Sequence, residues 1–145
     1  MGDDWKEIVA EWAGDLSFMG RNEAGGTVQM GNQNGQPGLS PMELLLAGMA
    51  GCTGIDIVNI LRKKRQRIED FQVRVRGKRA DQPPKVYTKI EVTYLLWGED
   101  LDPRAVEHAI QLSEDKYCSA SVMLGAMAEI SSEYRIMRPS EKDAS

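Results

Sequence analysis

SPMELLLAGMAGCTGIDIVNILRKKRQR, from Ser40 to Arg67, reads as one long helix, and its reading decides the fold. Ser40 can cap, Pro41 suits the first helical position, and Glu43 sits where it completes a capping box. From Leu44 to Leu61 the chain is apolar or small, interrupted only by Cys52, Thr53, Asp56 and Asn59. RKKRQR then places cations where a helix C-terminus favours them. Such a helix spans roughly 40 Å, while a compact chain of this size is only about 35–40 Å across. Its first half has no polar face, as in a helix covered on every side. A second chain is the natural cover. Gly48, Gly51 and Gly54 each cost about 0.5–1 kcal/mol against alanine in a helix interior. Close approach of another backbone is the usual compensation. Cys52 lies among these small residues, within reach of another group.

Working outward, 145 residues fit one domain. A chain of that length buries about 68–70% of its unfolded surface, enough for a core without disulfides or metals. Eighteen basic against 22 acidic residues give a net charge of −4, which argues against a nucleic-acid or anionic-membrane partner. RKKRQR is then a solvated helix end. The N-terminus MGDDWKEIVAEW is acidic, without a signal-peptide core, and Lys6 stands where a myristoylation signal wants Ser or Thr. Asp56 and Asn59 break the apolar run of the central helix, leaving it short for a membrane span of ~20 residues. Two cysteines without a secretion signal point to a reducing compartment, the cytoplasm.

Before the helix, alternation over residues 5–12 suits a strand, Leu16–Met19 a short return strand, and Thr27–Met30 a third. GNQNGQPGLS, residues 31–40, reads as a mobile loop. After it, Phe71, Val73 and Val75 alternate with polar residues, and Val86–Trp97 supplies a longer strand, with an irregular connection through Ala80–Pro84. Asp102-Pro103 starts another helix, which frays near Lys116. A short helix follows from about Ser119 to Ala128, then a closing strand with Ile130, Tyr134 and Ile136. The tail, residues 140–145, reads as disordered. Strands and helices do not alternate singly, so the class is α+β with largely antiparallel sheet.

Few chemistries find an anchor. One His and two Cys separated by 66 positions offer no metal-ligand spacing, and a site would have to recruit carboxylates. No metal or cofactor is therefore expected, and His108 reads as a surface or half-buried residue. There is neither a G-x-S-x-G elbow nor a phosphate loop. Taken singly, each cysteine reads as an inert core thiol. As a pair they read differently. Cys52 is on the core helix, and Cys118 is at a helix start, where unpaired N–H groups favour a thiolate. Both helices must pack on the same sheet, so the sulfurs can meet.

SPMELLLAGMAGCTGIDIV, the later EDKYCSASVML, and GRN after the first hairpin together resemble the OsmC/Ohr family, the osmotically induced and organic-hydroperoxide-resistance proteins. The likeness runs over about residues 5–138, and the SPME opening is most like the branch typified by the YhfA proteins. It implies a single OsmC-like domain over residues 1–139 and an intertwined homodimer, with antiparallel sheets packed around a long buried central helix. It also implies a peroxidatic Cys52, a resolving Cys118 and an activating arginine at Arg21. The family's glutamate after the helix-start proline, which holds that arginine, falls on Met42. Glu43, one residue along, is a possible arginine partner. The activity implied is reduction of organic hydroperoxides, reset by a dithiol reductant, in oxidative-stress defence. A rival reading is a non-catalytic dimeric module binding a small apolar ligand in its interface cleft, lined by Met42, Met49, Met123 and Met127.

Overall fold

The computed structural model describes residues 5–32 and 35–144. The acidic start and the loop over residues 31–40 are therefore seen only in part, since residues 1–4, 33 and 34 lie outside the described residues. The class is α+β, as expected. The sequence reads as a single domain over 1–139, but the chain folds as two compact units, Met1–Leu45 and Leu46–Ser145. The reason is in the hydrogen bonding: the strands form two separate three-stranded sheets.

In the first unit, β1 (Ile8–Gly14), β2 (Ser17–Asn22) and β3 (Thr27–Met30) form an antiparallel meander. Gly14 and Asp15 turn the first hairpin with positive φ, and the Trp12 indole Nε1 donates to the Asp15 carbonyl at 2.8 Å. Ile8, Trp12, Phe18 and Val28 remain exposed on this sheet. The Gly-rich segment after β3 is tied down in its described part. Leu39 bridges Met30, and Gln29 Nε2 donates to the carbonyls of Gly31 and Gln36.

Helix α1 (Pro41–Lys63) opens on the capping box read from the sequence. The Glu43 N–H donates to Ser40 Oγ at 3.1 Å, and the Ser40 N–H donates to Glu43 Oε1 at 2.8 Å. Its end differs from the expected reach to Arg67. The Arg65 N–H bonds the Arg62 carbonyl and the Gln66 N–H bonds the Leu61 carbonyl, closing a Schellman turn with Arg65 left-handed at φ 58°. An arginine side chain there is strained where glycine is not. Arg65→Gly is accordingly expected to raise stability by about 0.5–1 kcal/mol in urea denaturation. A loss of stability would mean that the cation at the helix terminus outweighs the strain.

The sheets are largely antiparallel, as expected, and the one parallel strand pairing among the described residues lies in the second unit. The central strand β5 (Tyr87–Trp97) pairs antiparallel with β4 (Asp70–Arg79) and parallel with β6 (Glu129–Met137). A parallel partner requires a crossover of a dozen residues or more. Residues 98–128 supply it, carrying α2 (Pro103–Leu112) and α3 (Ser119–Gly125). Asp102 caps α2 by accepting from the Arg104 N–H at 3.0 Å. Ile90, Val92, Tyr94, Leu96 and Trp97 of β5 are all buried.

The long helix is buried within the chain along one stripe only. Met49, Thr53, Ile57 and Leu61 recur every fourth residue, one turn apart on one face. A Cβ on Gly54 would stand 3.5 Å from Val73, which places β4 beneath the helix there, whereas Gly48 and Gly51 face open space. Ile55 is 66% exposed. By length and hydropathy α1 could cross a membrane, but its stripe is spent on the chain's own core. The tail also departs from expectation. Pro139–Ala144 is a 3-10 helix rather than a disordered end, with Lys142 Nζ 2.9 Å from Asp70 Oδ2. That ion pair, with the Phe71 N–H bond, holds the Asp70 carboxyl below its ordinary pKa.

Candidate functional site

The crossover between β5 and β6 brings the second cysteine to the first. Ser113 continues the buried face of α2 formed by Val106, Ala109 and Ile110. From Ser113 to Tyr117 the helix widens to a π-helical turn, closed by the Cys118 N–H on the Ser113 carbonyl at 2.7 Å. In an α-helix, a residue five positions on would be rotated well away from Ser113. The wider turn brings the Cys118 N–H back onto the Ser113 carbonyl. Such turns are rare and frequent at functional sites.

Cys118 is fully buried and is the N-cap of α3. Its Sγ accepts from the Ser121 N–H at 3.3 Å and from Ser121 Oγ at 3.1 Å. Burial pushes the Cys118 thiol above its ordinary pKa, the Ser121 bonds pull it back, and neighbouring Cys52 adds to the rise. The helix-start argument for a thiolate is thus outweighed by loss of water at this sulfur. Cys52 is half-buried on α1. Asp56, one turn further along α1 and also half-buried, joins them. The two sulfurs and an Asp56 carboxylate oxygen all lie within 4.8 Å of one another. Both cysteines are free thiols.

A hydrogen-bonded chain leads away from this cluster. Ser113 Oγ donates to Asp56 Oδ2 at 3.0 Å and lies 2.7 Å from Thr53 Oγ1, which lies 3.2 Å from the Tyr94 hydroxyl. Tyr94 donates to Glu114 Oε2 at 2.7 Å, and Ser132 Oγ donates to Glu114 Oε1 at 3.2 Å. Thr53 is completely buried, so these partners satisfy groups that would otherwise cost about 1–3 kcal/mol each. Burial, with Glu114 beside it, drives the Tyr94 hydroxyl well above its ordinary pKa.

The other expected site residues belong to the first unit. Arg21, on β2, pairs through Nε with Glu11 Oε1 on β1 at 2.6 Å. Adjacent antiparallel strands present these side chains as diagonal neighbours. The arginine's partner here is therefore Glu11, and Glu43 is engaged in the capping box instead. Of the methionines expected to line an apolar cleft, Met49 is in the core, while Met123 and Met127 are exposed.

Asp56 had no assigned chemistry in the sequence. Its spacing from Cys52 was visible, but nothing local showed that Cys118 would arrive beside the pair. The carboxylate that a metal site would have to recruit is the one the fold supplies.

A family model described as OsmC-like protein matches residues 31–133. Protein YhfA of Escherichia coli (strain K12) is 35% identical over 127 residues, covering 88% of this chain and 95% of that protein. A solved hypothetical protein from Aquifex aeolicus VF5 superposes with a TM-score of 0.84 at 32% identity, over 94% of this chain and 98% of the other. The organic hydroperoxide resistance protein OhrB of Bacillus subtilis shares the fold, with a TM-score of 0.61 at 19% identity over 90% and 98% of the two chains.

Proposed function

The chain belongs to the OsmC-like protein family, and from that membership we propose that it is a thiol-dependent reductase of organic hydroperoxides, acting in the cytoplasm as a homodimer. The observation that carries this reading is the approach of two free thiols from distant parts of the sequence to within 4.8 Å. A disulfide needs the two sulfurs at ~2.05 Å, so oxidation requires them to close the remaining gap.

Cys52 is the attacking thiolate, being the more accessible of the two. Its sulfur breaks the peroxide O–O bond, releasing an alcohol and becoming a sulfenic acid. The Cys118 thiol then condenses with that sulfenic acid, forming the disulfide and expelling water. An external dithiol returns both sulfurs to thiols and is itself oxidised to a disulfide. The raised pKa of Cys118 suits this order, since burial disfavours the thiolate at the second sulfur and leaves the first attack to Cys52. Arg21 serves as the activating cation, and Glu11 on β1 takes the holding role of the family's glutamate, whose own position is Met42 here.

A dimer fits what the chain leaves uncovered. Ile8 and Trp12 on the first sheet, Ile55 on α1, and Val122, Met123 and Met127 in and just after α3 are all exposed. Sedimentation at micromolar protein is expected to show no folded monomer. The activity is tested by intact mass under non-reducing conditions, before and after one equivalent of cumene hydroperoxide. The expected product lacks both thiol hydrogens and yields a single Cys52–Cys118 cross-linked peptide. Thiols untouched by peroxide would end the reductase reading.

A further inference from the structure

The cysteine pair has a third member that the peroxide chemistry does not use. Cys52 and Asp56 are related as i and i+4, so α1 itself fixes them on one face, as it does for paired metal ligands on helices. Cys118 closes the triangle from the end of the π-helical turn. We propose that the reduced chain binds one zinc-class divalent ion through Cys52 Sγ, Cys118 Sγ and an Asp56 carboxylate oxygen, with water in the fourth position.

Geometry, ligand type and outer hydrogen bonds all support this site. A tetrahedral ion with bonds of ~2.3 Å to sulfur and ~2.1 Å to oxygen needs its ligand atoms about 3.6–3.8 Å apart. The three atoms already stand within 4.8 Å, so a contraction on the order of 1 Å completes the site. Two thiolates and one carboxylate select zinc over magnesium or calcium, which prefer all-oxygen shells. Ligand-orienting bonds are in place before any ion arrives. Ser113 Oγ holds Asp56 Oδ2 at 3.0 Å, and Ser121 gives Cys118 Sγ two donors that favour a negatively charged sulfur. Cys52 and Asp56 are only half-buried, which leaves the ion a way in. An ion seated on both sulfurs withholds them from peroxide, so the loaded site is a protected state of the thiol pair.

The test uses the full chain, reduced and freed of metal, titrated with Zn2+ against a chromophoric chelator and with Co2+ in an absorption spectrometer. One ion per chain and a sulfur-to-cobalt charge-transfer band are expected, both lost in Cys52→Ser. Ser113→Ala should weaken zinc binding about 10–100-fold, and Asp56→Asn should weaken it more. An Asp56→Asn chain that folds and binds zinc as tightly as the parent overturns the site, as does the absence of the charge-transfer band. Should Asp56→Asn fail to fold, iodoacetamide decides on the parent chain. Zinc must slow alkylation of Cys52, the accessible thiol, and equal labelling of Cys52 with and without zinc overturns the proposal. The peroxide assay is read separately. Zinc uptake without peroxide oxidation removes the reductase reading alone, and oxidation without uptake removes the metal site alone.

Discussion

Cys52→Ser is expected to abolish peroxide consumption. No second thiol stands ready to replace it: Cys118 is fully buried, and burial raises its pKa. Without the first oxidation there is no sulfenic acid for Cys118 to meet, so Cys118 should remain reduced and unlabelled. Cys118→Ser should behave in the opposite sense. One turnover still occurs at Cys52, but the product stops at a sulfenic acid that dimedone captures. Steady-state consumption with a dithiol donor, together with dimedone labelling of each variant, separates the two roles. Consumption that survives Cys52→Ser would place the attacking group elsewhere. Arg21→Ala should remove turnover as well, and Glu11→Gln should lower it by up to ~100-fold, the scale of a positioning loss. An active Arg21→Ala chain would remove the arginine from the mechanism.

Ile57→Ala carries the largest expected stability loss, about 2–5 kcal/mol, the usual range for deleting a fully buried aliphatic side chain. Against a typical total of about 5–15 kcal/mol this is a large share. The reason is the narrowness of the stripe. Within the second unit α1 is fixed by Met49, Thr53, Ile57 and Leu61 alone among its fully buried residues. Those same turns carry Cys52 and Asp56. Urea denaturation should therefore show the loss, and peroxide-driven disulfide formation should slow in parallel as the two sulfurs lose their fixed relation. A loss below about 1 kcal/mol would mean that the cavity collapses without strain and that the stripe does not anchor the helix.

The local features were readable from the residues. The capping box at Ser40 and Glu43, the period-two strands, Asp102 ahead of Pro103, and the junction near Tyr117 all rest on interactions within a few positions along the chain. Each leaves a mark in composition or periodicity. What escaped depends on distant pairing. Nothing in Glu129–Met137 says that this strand runs parallel to β5, because a period-two pattern is the same in either direction. The π-helical turn differs from an α-helical one by a single residue, and no composition rule announces it. Arg21 found Glu11 rather than Glu43 because strand register sets that choice, and register is fixed by the whole hairpin. Asp56 was passed over for a related reason. Its role depends on a cysteine 62 positions later in the sequence.

The parallel pairing of β5 with β6 also dictates an order of assembly. The β4–β5 hairpin closes on near neighbours, an event that takes about 1–10 μs in isolated hairpins. Strand β6 can dock only after residues 98–128 have been gathered over the sheet, and such long closures are slow. Cys118 lies inside that gathered segment. The two thiols are therefore expected to meet late in folding. An oxidant arriving early meets two solitary sulfurs, whose readiest partners are on other chains. Refolding under reducing conditions, with oxidant withheld until the end, should give monomer-linked disulfide, whereas oxidant present from the start should give cross-linked aggregates.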